Sequence, residues 1–174
     1  MSALPSLTAF PTAKTAQFHA VSLSVAAVAG LATLGVTSVM LPPTAMFLGW
    51  AAFNLAGDDL RGGLANTVSH LLGLALGAGT ALLIGAMTPM LGLLATPVAV
   101  IGVVIVVLSL REVAPINNPL AYFLGLTSFF YSGLSPSGST LAVLGTAAVI
   151  GGAACAVAAF AQNAVARTAE VRHA

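Results

Sequence analysis

The sequence predicts an all-α membrane protein whose six transmembrane helices form an inverted three-plus-three repeat, with the second and fifth helices short. Three observations predict this fold. The composition is 59% hydrophobic, with only five basic and four acidic residues among 174, which leaves too little polar surface to cover a water-soluble globule. Two stretches share one motif. Breaks rich in proline and glycine divide the chain into six apolar segments.

The shared motif occupies residues 43–62 and 119–138 and reads Pro-x-Ala-x-Phe-Leu-Gly-x-x-x-Phe-x-x-x-Gly-x-x-x-x-Gly. We call these stretches copy one and copy two. Repeats in membrane transport proteins flank a site at their interface, and unusually short hydrophobic segments in matching positions point to it. In register, the matched pairs are Pro43 with Pro119, Ala45 with Ala121, Phe47 with Phe123, Leu48 with Leu124, Gly49 with Gly125, Phe53 with Phe129, Gly57 with Gly133 and Gly62 with Gly138.

The segments form one predicted transmembrane domain, residues 18–162, made of repeat one (18–87) and repeat two (88–162). We expect a flexible amino-terminal tail over residues 1–17 and a cytoplasmic tail over residues 163–174. The first apolar run, Ala20–Leu41, exceeds the apolar core of a secretory signal and is therefore interpreted as a retained span. The predicted segments are about 19–41, 43–57, 64–86, 90–110, 119–134 and 139–162.

The breaks between segments justify these boundaries. Pro43 and Pro119 open segments two and five, and proline suits the first turn of a helix because its missing N–H would be unsatisfied there anyway. Segment three is predicted to end before Thr88-Pro89, since proline removes a helix hydrogen bond.

The basic residues predict the orientation. If all six segments cross the membrane and the amino terminus is cytoplasmic, every basic residue lies on the cytoplasmic side: Lys14, Arg61, Arg111, Arg167 and Arg172. If segments two and five were re-entrant, Arg61 and Arg111 would lie outside. Both termini are therefore expected in the cytoplasm. Three crossings per repeat then place the second repeat upside down relative to the first.

No acidic residue, lysine or arginine lies deep in a predicted segment. Coupled carriers generally keep such a group within the membrane, so its absence favours passive permeation. The neutral polar and aromatic side chains of the two copies, and the glycines between them, are the candidates for a solute pathway. They are Phe47, Gly49, Trp50, Phe53, Asn54, Phe123, Gly125, Thr127, Ser128 and Phe129, with Asn66, Ser69, His70 and Tyr131 as secondary candidates.

The glycines and aromatic residues leave two alternatives open. Gly49 and Gly125 either provide space for a small solute or allow another helix to touch. We place them at the narrowest region and expect leucine at either position to block flux without unfolding the protein. Of the pairs Phe47/Phe123 and Phe53/Phe129, at least one is expected to be packing, and the other to form a symmetric constriction.

The remaining candidates predict no chemistry. His70 is the only histidine deep within a predicted segment, and a hydrogen-bonded interhelical role is favoured over a pH sensor. Cys155 is expected to pack between helices. No catalytic constellation, cofactor motif or metal cluster is present in the sequence, and the net charge of +1 suggests no nucleic-acid partner. Lipid, a small solute and a second copy of the chain, in a dimer or trimer, are the expected partners. Glycine-rich helix faces are compatible with this association, although close packing within one subunit is the favoured explanation of them.

The run Phe47-Leu48-Gly49-Trp50-Ala51-Ala52-Phe53, followed by Gly57 and Gly62-Gly63, resembles the YcdZ-like family of small bacterial inner-membrane proteins, grouped as domain of unknown function 1097. The resemblance covers about residues 20–162. It implies a bacterial cytoplasmic membrane and no agreed activity. Two looser likenesses are to urea channels, through Asn118-Pro119-Leu120, and to the HPP family associated with nitrite transport, through Leu60 to Gly73.

The expected function is a channel or facilitator for a small neutral polar solute, such as urea, a short amide or ammonia. One alternative is a carrier for a small anion such as nitrite or formate. The other is an accessory membrane protein that transports nothing.

Overall fold

The computed structural model describes residues 13–57 and 59–171 and contains, within them, six α-helices and two short 3-10 turns. The α-helices are α1 (Ala13–Ser38), α2 (Pro43–Asn54), α3 (Leu60–Leu91), α4 (Ala95–Ser109), α5 (Pro119–Ser132) and α6 (Gly138–Val171). The predicted all-α class is confirmed for these residues. Residues 1–12 of the predicted amino-terminal tail and residues 172–174 of the predicted carboxyl-terminal tail lie outside them.

Local sequence accounts for where the helices begin. The Asp59 side chain accepts a hydrogen bond from the N–H of Arg61 at 3.0 Å and caps α3. Asn118 caps α5 by accepting from the N–H of Leu120 at 3.2 Å. The Ser137 hydroxyl accepts from the N–H of Thr140 at 3.1 Å, one turn into α6. Pro43 and Pro119 occupy the first turns of α2 and α5, as predicted from their missing N–H groups.

The predicted break at Thr88-Pro89 is wrong. Pro89 lies inside α3, which continues to Leu91. The helix ends at Gly92, whose φ of 53° and ψ of −126° suit a residue without a Cβ. A 3-10 turn over Gly92–Leu94 then leads into α4, which folds back against α3.

Within the part of the chain that the structure describes, three helical segments are long and apolar enough to cross a membrane: Gln17–Ser38, Leu60–Glu112 and Gly138–Val165. The second holds 53 residues. A straight helix of that length would measure about 80 Å, more than twice a bilayer core, and the turn at Gly92 divides it into α3 and α4. Only 6% of the most apolar window of α1 is buried. Such an apolar surface is typical of a protein that associates with a membrane.

The short helices lie in the middle of the bundle. α2 packs along α6 and α5 packs along α3, while α2 also touches α5 and α3 also touches α6. α1 lies against α6 and α4 lies against α3 on the outside. The main core cluster joins Met46, Leu74, Phe129 and Leu144 with Val36 of α1. A second cluster surrounds Tyr122 and Val107 where α5 meets α4.

Candidate functional site

The matched glycines of the two copies lie at helix crossings. A Cβ built on Gly49 would collide with the backbone of Ala148 on α6, with the Cα only 2.5 Å away. A Cβ built on Gly125 would collide with the carbonyl oxygen of His70 on α3 and lie 2.7 Å from the nitrogen of Leu74. The sequence left two alternatives for these glycines, space for a small solute or close approach of another helix. At both positions the structure has another helix in close approach.

A second pair of crossings repeats the same geometry from the opposite helices. Gly73 of α3 lies against the backbone of Tyr122, and Gly151 of α6 lies against the backbone of Met46. Met46 and Tyr122 occupy matched positions of the motif. Gly73 follows His70 by three residues, and Gly151 follows Ala148 by three residues. One alignment of α3 with α6 therefore pairs the two glycines and also pairs His70 with Ala148. Each short helix thus uses matched residues of the motif to pack on a long helix, α2 on α6 and α5 on α3.

The buried aromatic pair of the motif packs between helices. Phe53 and Phe129 are 5% and 2% exposed. The ring of Phe53 lies 2.6 Å from the position a Cβ would take on Gly63, and the Phe129 Cβ lies 2.8 Å from that position on Gly77. This pair fulfils the expected packing role.

The other aromatic candidates lie farther out. Phe47 is 45% exposed, and Phe123 is half-buried against the cluster around Val107. Trp50 is half-buried. No ring contact joins Phe47 with Phe123 among the residues described, so a constriction formed by this pair stays a prediction.

The polar candidates divide into buried and exposed groups. Asn66, Ser69, His70 and Ser128 are buried, whereas Asn54, Thr127 and Tyr131 are exposed. The Ser69 hydroxyl donates to the carbonyl oxygen of Ala65 in its own helix at 3.1 Å. The Cys155 thiol is buried, as its expected packing role requires, and donates to Asn54 Oδ1 at 3.8 Å.

Three buried polar side chains have no hydrogen-bond partner within the described part of the chain. They are His70, through both ring nitrogens, Tyr122, through its hydroxyl, and Ser128, through Oγ. Buried polar groups in proteins are nearly always hydrogen-bonded, so each such group calls for an explanation. Tyr122 was not among the residues predicted from sequence. The available signal was its place in the motif, where a phenol matches the apolar Met46.

Several cavities lie next to candidate residues, and one of about 240 Å³ is lined by Phe53. Two others are lined by polar candidates. One, of about 430 Å³, lies between α3, α4 and α5 and is lined by Thr80, Phe123, Thr127, Phe130 and Tyr131 together with α4 valines. The other, of about 230 Å³, lies at the amino end of α2 and is lined by Thr44, Ala45, Ser128, Tyr131 and Ser132, with Pro42, Leu134 and Leu144. Thr44 was not predicted, because only the packing of α2 on α5 and α6 brings it to Ser128.

Charged groups stay at the ends of the helices. Asp59 and Arg61 flank the start of α3, and Arg111 and Glu112 form an exposed ion pair of 3.3 Å after α4. Over residues 13–57 and 59–171, no group of three His, Cys, Asp or Glu side chains is placed to hold a metal ion. The buried polar side chains of the described interior are neutral hydrogen-bonding groups such as Asn66, Ser69 and Ser128.

A family model described as "Protein of unknown function (DUF1097)" matches residues 22–163. This match confirms the predicted family. No curated protein and no solved structure matches the chain significantly. The YcdZ-like name and the looser likenesses to urea channels and HPP-family proteins stay predictions.

Proposed function

We propose that this chain, which belongs to the DUF1097 family, is a six-crossing integral membrane protein that lets a small neutral polar solute pass. The solute class is that of urea, short amides and ammonia. The packing of Gly49 on Ala148 and of Gly125 on His70 is the observation that carries the proposal. It supports an inverted repeat, because matched residues of both copies make the same contact with helices of the opposite repeat.

The short central helices support a transport role. α2 has 12 residues and α5 has 14, which correspond to about 18 Å and 21 Å, against about 30 Å for the hydrocarbon core. Their ends therefore lie within the depth of the membrane. Short helices that end at membrane depth form the solute sites of many transporters.

The polarity of the interior supports an uncharged solute. The buried polar side chains are amide, hydroxyl and imidazole groups, carried by Asn66, Ser69, His70, Thr80, Ser128 and Thr140. The proposal assigns them hydrogen bonding and no catalysis. Carboxylates and ammonium groups within the bundle would point to ion coupling instead.

The orientation that we propose has both termini in the cytoplasm of a bacterium and the domain in its inner membrane. Arg61 and Arg111 support it because both are exposed at helix ends that this arrangement places on the cytoplasmic side. We also propose a homodimer or homotrimer. Exposed glycines support association, since nothing lies within 4 Å of a Cβ built on Gly30, Gly79, Gly85 or Gly102. A mass measurement in mild detergent that finds only monomer would refute this part.

Tracer flux into liposomes tests the function. Purified protein is reconstituted, and uptake of urea, formamide, formate and nitrite is measured with the voltage and the pH gradient set independently. We expect uptake of the neutral solutes that depends on neither the voltage nor the pH gradient. Electrogenic or pH-driven uptake of an anion would indicate a carrier and refute the channel. No uptake of any solute would indicate an accessory protein.

A further inference from the structure

The amino end of α2 differs from the matched end of α5 in how its backbone is satisfied. The first N–H groups of any helix have no acceptor within the helix. In α5, Leu120 N–H donates to the Asn118 side chain and Ala121 N–H donates to the Asn118 carbonyl, each at 3.2 Å. In α2 the capping position holds Pro42, which has no side-chain acceptor.

The N–H groups of Thr44 and Ala45 consequently have no acceptor among the residues that the structure describes. They match Leu120 and Ala121 of copy two. The first backbone hydrogen bond at this end is the donation from Met46 N–H to the Pro42 carbonyl at 3.3 Å. A helix start with free N–H groups carries partial positive charge and favours an acceptor oxygen.

Ser128 lines the same cavity, and its buried hydroxyl is also without a partner. Ser128 is 3% exposed, and its Oγ makes no hydrogen bond within the described residues. The nearby Ser132 hydroxyl, in contrast, donates to the Phe129 carbonyl at 2.6 Å and accepts from Leu134 N–H at 3.2 Å. Copy one has Ala52 where copy two has Ser128, so only one end of the repeat combines free N–H groups with a free hydroxyl.

We propose that this cavity binds the acceptor oxygen of a small solute, either the carbonyl oxygen of an amide or an oxygen of a small oxyanion. The N–H groups of Thr44 and Ala45 and the Ser128 hydroxyl donate to that oxygen. This inference rests on the proposed function, for which it identifies a binding site at the outer mouth. No acidic side chain lines the cavity, so it offers a cation no negatively charged ligand.

The size of the cavity fits such a solute. Its volume of about 230 Å³ is several times the roughly 30 Å³ that one water molecule occupies in the liquid. Water can fill it when solute is absent, and a molecule of a few heavy atoms can replace that water.

Binding is measured separately from transport, by saturation-transfer difference NMR on the purified full-length chain in detergent. The probes are formamide and formate, which have nearly the same shape and differ in charge. Ser128→Ala removes the hydroxyl and reproduces copy one. Pro42→Asn installs the cap of copy two, whose side chain then occupies the Thr44 N–H. Ser109→Ala is the matched control, because Ser109 is exposed on α4 and bonds the Ile105 carbonyl of its own helix at 2.8 Å.

Ser128→Ala is expected to weaken binding about tenfold, the loss of one hydrogen bond. Pro42→Asn is expected to abolish saturable binding without unfolding the protein, because asparagine is a favourable cap. The control is expected to bind as the unmodified chain does. Binding of formamide alone, formate alone or both supports the site and identifies the source of the oxygen.

Two results would overturn the site: no saturable binding of either probe, or equal binding by all variants. Failure of transport would not by itself overturn the site. Probe binding that the two variants remove, in a protein that conducts nothing, would retain the site and refute the channel. Solute flux through a protein whose probe binding is unchanged by both substitutions would retain the channel and refute the site.

Discussion

Gly125 of α5 lies against the carbonyl oxygen of His70 on α3, with no room for a Cβ between the two helices. Gly49 of α2 bears the same relation to Ala148 of α6. These contacts fix how closely each short helix approaches the long helix that it crosses. The spacing between the helices inside the bundle is therefore set by backbone contact as well as by side chains.

Alanine at Gly125 or Gly49 is expected to lower the free energy of unfolding by about 1–3 kcal/mol, because an overpacked crossing forces the helices apart. Denaturant unfolding in detergent measures it. Gly79→Ala is the control, since nothing lies within 4 Å of its Cβ and alanine is the better helix former. Equal stability of all three variants would refute the tight crossings.

This geometry corrects one expectation from the sequence. Leucine at Gly49 or Gly125 was expected to block a pathway without unfolding the protein. The added side chain would instead meet the backbone of Ala148 or His70, which cannot move aside as a flexible side chain can. We now expect both leucine variants to misfold, and their flux to be uninformative about a pathway.

His70→Leu is expected to raise the free energy of unfolding by about 1–2 kcal/mol, because a buried imidazole without a partner costs more than an apolar side chain of similar size. Thermal unfolding in detergent measures this change. Leu74→Ala, one turn along the same helix and 1% exposed, is the comparison and should destabilise by about 2–5 kcal/mol. A less stable His70→Leu protein would mean that the imidazole has an internal water or solute as its partner.

Phe53→Ala is expected to cost about 3–5 kcal/mol of unfolding free energy, because the ring fills the space beside Gly63. Phe47→Ala, in the same helix but 45% exposed, should change stability by less than about 1 kcal/mol. Unfolding curves for both variants check this difference. Similar losses at the two positions would show that exposure in the isolated chain does not reflect the surroundings of Phe47.

The sequence predicted the six helices well because local chemistry determines them. Pro43 and Pro119 begin α2 and α5, and this preference of proline for the first turn of a helix does not depend on tertiary contacts. Pro89 was mispredicted because a long apolar helix tolerates an internal proline and ends where Gly92 permits the turn. A local pattern cannot distinguish these two cases.

The site was less accessible to sequence reasoning. The motif identified Gly49 and Gly125, and the polarity of its side chain identified Ser128, but the neighbours of all three depend on which helices pack together. Asn54 and Thr127 were expected inside and lie at exposed positions, because a few residues of helix rotation separate the inner from the outer face. The free N–H groups of α2 became visible only beside the capped start of α5.

Accessibility of the first residues of α3 and α6 tests the inverted repeat most directly. These residues are Leu60 and Gly138, and both are exposed. In intact cells, with Cys155→Ala as background, a membrane-impermeant maleimide should label Gly138→Cys from outside and leave Leu60→Cys unlabelled until the membrane is opened. Labelling of both cysteines from the same side would contradict the inverted repeat, and with it the proposed passage between the two copies.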